Sequence, residues 1–300
     1  MSLGAHVHKK SAEGKSRKMH LAIAEDLKHI ESYGIDNPSA QIFVAGPKTY
    51  KETLTAEEKL GIAKYISEHG TSIVIHGAYV DRPWSSIPGA IHNVKQELRI
   101  GAEIGATGVI VHLSSGCVND TTFKAALAEI ANIDLPRQQI LWLEINSAKP
   151  SKFTFETPEK LKQLFSRIDS FGIKWGNIVV GLCIDTAHLF ACGLSLETYE
   201  SAKKWIEDVE KFRAGTPVMI HLNDSASAFG SGIDKHESLC HGNIWQSYHP
   251  TRGKLPYEKS GLNYLLEWAD SNSIVTILER NDESPDRDIT LISQLGAFTK

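Results

Sequence analysis

Two hydrophobic patterns alternate along the chain. Short apolar runs rich in β-branched residues occur as LGAHV (3–7), QIFVA (41–45), SIVIH (72–76), GVIVH (108–112), ILWLE (140–144), IVVGLCID (178–185), VMIHL (218–222) and IVTILE (274–279). Runs of this length and composition predict buried strands. Longer amphipathic stretches between them predict helices near 18–33, 55–69, 88–105, 121–132, 157–170, 196–212 and 259–271, with a last one near 286–298. Two helix starts are marked locally: Thr55 is followed three residues later by Glu58, and Thr157 directly precedes Pro158. Eight strands alternating with eight helices predict a parallel (β/α)8 barrel, the TIM-barrel architecture, with residues 1–300 forming a single domain. The segment 223–258 is too long for an ordinary connection, and such loops usually carry function.

Polar residues close nearly every apolar run. His6 lies within the first, His76 ends the third, His112 the fourth, Glu144 the fifth and Asp185 the sixth. His221 lies near the end of the seventh, and Glu279 ends the eighth. In a β/α barrel these ends converge on one face, where active sites are built. One histidine at a strand end is more often a hydrogen-bonded core residue than a ligand, but so many at successive strand ends are hard to read as coincidence. Imidazoles and carboxylates without thiolates are the donors of a zinc or similar site. Two further segments add donors. In DTAHLF (185–190), Asp185 and His188 stand three apart where a strand turns into a loop. In GSGIDKHESLCHGNIW (230–245), Asp234 and His236 are two apart, so an extended backbone points both the same way. With His188 they could chelate one ion. His76, His112, Glu144, Asp185, His221 and Glu279 remain for two more, and a carboxylate such as Glu144 can bridge.

Composition adjusts this picture little. An apolar share of 41% and a charged share of 23% over 300 residues are those of an ordinary globular protein. No apolar run approaches the roughly 18 residues of a membrane span, and the basic N-terminal segment lacks the apolar stretch of a secretory signal. The four cysteines, Cys117, Cys183, Cys192 and Cys240, are scattered, with no CxxC pair. That fits a reducing intracellular compartment: cytoplasm or nucleus, or a virion or viral factory if the chain is viral. Cys183, inside an apolar run, is expected as a buried thiol. The net charge of −4 argues against nucleic acid, but three divalent ions would bring it to about +2.

The segments GAHV (4–7), VIVHLSSG (109–116), LWLE (141–144), GLCIDTAHLFACG (181–193), HLNDS (221–225), GSGIDKHESLCHGNIW (230–245) and ILER (277–280) resemble the endonuclease IV family, AP endonuclease family 2. The resemblance runs from residue 3 to about 281. It implies a TIM barrel that hydrolyses the DNA phosphodiester 5′ to an abasic site, leaving a 3′-hydroxyl and a 5′-deoxyribose phosphate. It also implies three zinc ions per chain, with Mn2+ an alternative at one site. By motif, the ligands would be His76, His112, Glu144, Asp185, His188, His221, Asp234, His236 and Glu279, with Glu144 and Glu279 closest to the chemistry. LERN stands where cellular members commonly have LETP, and INSAKPSKFTF replaces their glycine-rich loop. The extra stretch QSYHPTRGKLPYEK follows GNIW. These features, with FVAGPK at 43–48, resemble versions from large DNA viruses more than bacterial ones.

The implied partner is double-stranded DNA carrying abasic sites, bound by a monomer without membrane association. Lys48, Tyr79 and His6 are the expected DNA contacts, Lys48 reaching a phosphate or the lesion gap and Tyr79 stacking beside it. The basic run Lys9, Lys10, Lys15, Arg17 and Lys18 is either a solvated face or a phosphate contact. His20, His29, His69 and His92 fall on helices and are read as surface or packing residues. His241 and His249 lie in the long loop and could contact DNA, with solvent the simpler surroundings. Two other functions fit part of the pattern. A metal-dependent sugar isomerase or epimerase shares the barrel but needs one or two ions. A non-catalytic protein that binds damaged DNA or stores metal would be free to lose some of the nine ligands.

Overall fold

The computed structural model describes residues 2–11, 14–46, 51–79, 83–85, 89–151, 153–213, 215–280 and 285–295. Eight strands close a parallel barrel: β1 (Ser2–His6), β2 (Ser39–Ile42), β3 (Ile73–His76), β4 (Gly108–His112), β5 (Gln139–Glu144), β6 (Ile178–Asp185), β7 (Val218–His221) and β8 (Val275–Leu278). Closure is made by β1 on β8, with Ser2 opposite Val275. Nine helices are present among the described residues: α1 (Met19–Glu31), α2 (Ala56–His69), α3 (Ala90–Ile104), α4 (Asp120–Ala131), α5 (Pro158–Ser170), α6 (Thr186–Ala191), α7 (Tyr199–Arg213), α8 (Gly261–Ser271) and α9 (Asp286–Gln294).

Local chemistry explains where these helices begin. Thr55 and Glu58 form the reciprocal capping pair before α2, and Thr157 accepts from Lys160 N at the start of α5. Two expected starts move inward. Ser260 accepts from Asn263 N and sets α8 at Gly261, while Thr198 and Ser201 bond to one another and α7 starts at Tyr199. The expected loop at 186–190 is instead α6. Asp185 ends β6 and also caps α6, its Oδ1 accepting from His188 N at 2.7 Å. None of the described helices is long and apolar enough to cross a membrane.

The core has two parts. The larger fills the space between helices and barrel wall. The smaller lies inside the barrel and consists of Val74, Ile110, Trp142, Cys183, Met219 and Ile277, one from each of six strands. Each stands two residues before a strand-end His, Glu or Asp. Side chains on a strand repeat every two residues, so His76, His112, Glu144, Asp185, His221 and Glu279 form the next inward layer, above an apolar floor. On β1 and β2 the same level is held by His6 and Gln41, which are register partners.

The wall leaves little room where strands pack closely. A Cβ on Gly108 would come within 2.0 Å of Ile140 O on β5. Gly108→Ala is expected to lower stability by about 1–3 kcal/mol through overpacking. A urea midpoint equal to that of the parent chain would contradict this reading of the β4–β5 contact.

Candidate metal centre at the barrel mouth

The mouth of the barrel carries a ring of imidazoles and carboxylates, buried except for the half-buried His112 and His236 and the exposed Asp234. Glu144 is its hub. Its Oε2 lies 2.8 Å from His112 Nε2 and 3.4 Å from His76 Nε2, while its Oε1 lies 3.0 Å from His221 Nδ1. His221 Nδ1 is also 3.1 Å from Glu279 Oε2 and 3.9 Å from Asp185 Oδ2. On the far side His188 Nε2 and His236 Nε2 lie 3.2 and 3.0 Å from the two oxygens of Asp234. The structure therefore brings together all nine residues singled out in the sequence.

The proton positions of four imidazoles follow from their neutral neighbours. Carbonyl oxygens only accept, so Nδ1 of His76 donates to Gly77 O at 2.7 Å and Nδ1 of His188 to Ile145 O at 2.7 Å. Nδ1 of His236 likewise donates to Glu279 O at 3.1 Å. For His221 the roles are reversed. Gln41 must turn its amide NH2 toward Glu279 Oε1, 2.5 Å away, so its Oε1 accepts from His221 Nε2 at 2.8 Å. Each neutral ring then has one lone pair left, and in all four it faces carboxylate oxygens. Two acceptors face to face repel unless a proton or a metal cation lies between them. In agreement, His188 Nε2, His236 Nε2 and Glu144 Oε2 are buried and complete no hydrogen bond despite their short contacts.

Charge points the same way. Burial pushes the Asp185 carboxyl up. Burial also opposes ionisation of Glu144, but His112 and His221 outweigh it and hold the group well below the usual carboxylate range. Burial disfavours a charged His236, yet Asp185, Asp234 and Glu279 raise it to about 9. The site thus attracts positive charge. Among the described residues, ligand atoms lying within 4.8 Å of one another define four groups: His76/His112/Glu144, Glu144/Asp185/His221/Glu279, Asp185/His188/His236 and Glu144/Cys183/His221. The last includes a thiol that burial pushes up to about 12, which makes it a poor donor beside the others.

Two supporting residues went unassigned in the sequence reading. Gln41, fully buried, joins His221, Glu279 and His6 Nδ1. Asn223 donates to Asp185 Oδ2 at 2.8 Å and accepts from Glu279 N at 3.0 Å, tying β6 to β8. Their only sequence signal is a polar residue at the end or within an apolar run. The loop after β7 is also pinned. Asp224–Ser225 pairs antiparallel with His236–Glu237, and Asp224 Oδ1 accepts from Ser225 N and Ile244 N, both at 2.8 Å. Asp288 Oδ1 accepts from Leu239 N at 2.8 Å.

Of the expected DNA contacts, Lys48 lies outside the described residues, as does Pro47. Tyr79 is 43% exposed and packs edge-on against Phe43 and His76 at the rim. His6 is half-buried, stacked on His8, with Nε2 buried and without a hydrogen bond. A cavity of about 400 Å3 opens beside the ring, lined by Tyr79, His112, Ser114, Asn146, Ser147 and Asp234 among others. Much of the basic run is used internally. Arg17 pairs with Asp26 and Glu25, Lys18 with Glu57, and Lys9 with Glu58.

A parallel barrel with a carboxylate–imidazole ring at its C-terminal face defines a barrel protein with a candidate metal-binding centre. Comparison with known proteins places it more closely. Residues 27–286 match the AP endonuclease 2 family model, described as a xylose isomerase-like TIM barrel. A protein of African swine fever virus (isolate Tick/Malawi/Lil 20-1/1983) named "Probable AP endonuclease" is 35% identical over 264 residues, covering 87% of this chain and 84% of the viral one. A "Probable endonuclease 4" of Streptomyces avermitilis is 27% identical over 250 residues, covering 81% and 76%. The solved structure "The crystal structure of AsfvAP:AG" superposes with a TM-score of 0.85 at 32% identity, covering 100% of this chain and 99% of the other. The chain belongs to AP endonuclease family 2, the endonuclease IV family of TIM barrels.

Asn223→Ala leaves Glu279 N and Asp185 Oδ2 without their partner in a buried site. A stability loss of about 1–3 kcal/mol is expected, measured by urea unfolding. A loss below about 0.5 kcal/mol, the range of neutral surface changes, would show that Asn223 does not hold the ring.

Proposed function

We propose that the chain is a metal-dependent AP endonuclease that hydrolyses double-stranded DNA 5′ to an abasic site in base excision repair, leaving a 3′-hydroxyl and a 5′-deoxyribose phosphate. The observation that carries this reading is the set of four imidazoles, three buried and His236 half-buried, whose remaining lone pairs face carboxylates. Metal-ligating histidines are oriented in this way by an acceptor on the other ring nitrogen. We assign His76, His112 and Glu144 to one zinc ion, and Glu144, Asp185, His221 and Glu279 to a second. His188, Asp234 and His236 are assigned to a third, with Mn2+ an alternative at one site. Bound there, such ions lower the pKa of water toward ~7 and polarise the phosphodiester.

The chain's own groups then have distinct tasks. Glu144 presents one oxygen to each of two clusters, so it can bridge them. Glu279 has Oε1 clamped by Gln41, which leaves Oε2 to orient the attacking water. Asp234 and His236 arrive on the long loop and face the leaving 3′ oxygen. Tyr79, His6 and Lys48 engage the DNA beside the lesion. An abasic nucleotide leaves the stack cheaply because it has no base to unstack. Nine ligands in three groups exceed the need of a sugar isomerase or epimerase, and a complete set is not required of a non-catalytic damaged-DNA-binding protein. The four cysteines are free and buried, which suits a reducing compartment.

A duplex carrying one abasic analogue should be cut at its 5′ side, and chelation should abolish cutting until zinc is restored to about three ions per chain. Failure to cut with a full metal complement would overturn the proposal, as would cutting that survives chelation. Gln41→Leu keeps the volume but releases His221 and Glu279. It should weaken zinc affinity about 10–100-fold, the usual cost of losing an outer partner, in a competition titration with a chromophoric chelator. Unchanged affinity would remove Gln41 from the centre.

A further inference from the structure

The stretch 246–259 is better built than a connection to α8 requires. It is anchored at both ends by buried aromatics: Trp245, with Nε1 donating to Leu196 O at 3.0 Å, then Tyr248 and Tyr257. Between the anchors the chain closes on itself. Leu255 N donates to Ser247 O at 2.9 Å, Gly253 N to His249 O at 2.7 Å, and Arg252 N to His249 O at 3.3 Å. Pro250 takes the second position of this four-residue turn, where its fixed φ is favourable. The tip is therefore stiff.

Arg252 is exposed on that tip. Its Nη2 lies 2.5 Å from His241 Nε2 and 2.9 Å from His249 Nε2. A guanidinium only donates, so His241 Nε2 accepts and that ring is neutral. Its other nitrogen agrees, Nδ1 donating to Leu239 O at 2.9 Å. His249 Nδ1 instead faces a donor, Thr251 N at 3.2 Å, so that ring cannot accept at both nitrogens and lies beside the guanidinium without fixing it. A neutral His241 thus holds a permanent cation, and among the described residues no carboxylate pairs with it. Nη2 is turned toward the two rings. The Nε–Nη1 edge, with three N–H groups, has no protein acceptor among the described residues. That edge has the geometry of two-point recognition of a phosphate.

Its place in the fold fits such a ligand. His241 is five residues beyond His236 on the same loop, so no more than about 18 Å of backbone separates them. A helical turn of DNA spans about 34 Å. We propose that Arg252, set by His241, clamps a backbone phosphate of the DNA outside the lesion, within one helical turn of the scissile bond. The proposal rests on the endonuclease reading and adds a contact to it.

The test is equilibrium binding of the full chain to a non-cleavable abasic-analogue duplex over a salt series. One phosphate contact contributes a slope of about 0.9 in log K against log[salt]. Arg252→Gln should lower the slope magnitude by about 0.9 and weaken binding about eightfold at ~0.1 M salt, the counterion term of that one contact. Arg252→Lys keeps the charge and should retain most of the slope. His241→Ala should weaken binding without removing the slope. Single-turnover cleavage at saturating DNA should be unchanged in all three. An Arg252→Gln variant with parental slope overturns the clamp. A slope loss shared equally by Arg252→Lys also overturns it, because the loop rather than the charge would then be responsible. If the parent chain itself neither binds nor cuts the abasic duplex, the endonuclease reading fails and the clamp fails with it.

Discussion

Three buried carboxylates, Glu144, Asp185 and Glu279, meet at the mouth of the barrel within reach of His221. Desolvated like charges at this spacing are not stable alone. The rest of the site is arranged around that constraint. Neutral acceptors take up the N–H of each supporting imidazole, so the ring keeps its lone pairs for a cation. Gln41 completes the pattern by facing His221 with its carbonyl and Glu279 with its amide. Reversing the carbonyl end would turn a donor on a donor, and reversing the amide end an acceptor on an acceptor.

The barrel makes this concentration of charge tolerable. Each ligand strand places an apolar residue two positions earlier, and these six side chains form a dry floor under the ring. The same period that points Trp142 inward points Glu144 inward. A low-dielectric floor strengthens every electrostatic interaction above it. Fold stability and site chemistry therefore share one periodicity, and a one-residue slip in a strand would turn a ligand into the helix layer.

The long loop after β7 supplies what the strands do not. It carries Asp234 and His236 to the ring, and it is held by carboxylates that accept backbone N–H groups, Asp224 at Ile244 and Asp288 at Leu239. Beyond them it continues to the rigid tip with Arg252. A loop held this firmly presents Asp234, His236 and Arg252 in fixed register, which a mobile segment could not.

The strand ends were readable because each pairs a β-branched run with a terminal His, Asp or Glu, and the (β/α)8 alternation tells which face those ends share. The i, i+2 spacing of Asp234 and His236 was readable for the same reason. α6 was not, because its six residues are too few for a helical period and its start depends on Asp185 serving as strand end and cap together. The roles of Gln41 and Asn223 were also hidden. Gln41 meets Glu279 across 238 residues of sequence, and Asn223 meets it across 56. The chain alone determined which imidazoles and carboxylates are candidate donors and that six of them close the barrel strands. Tertiary structure decided which nitrogen of each imidazole is free and which carboxylate it faces, because those choices are set by neighbours brought together only when the barrel closes.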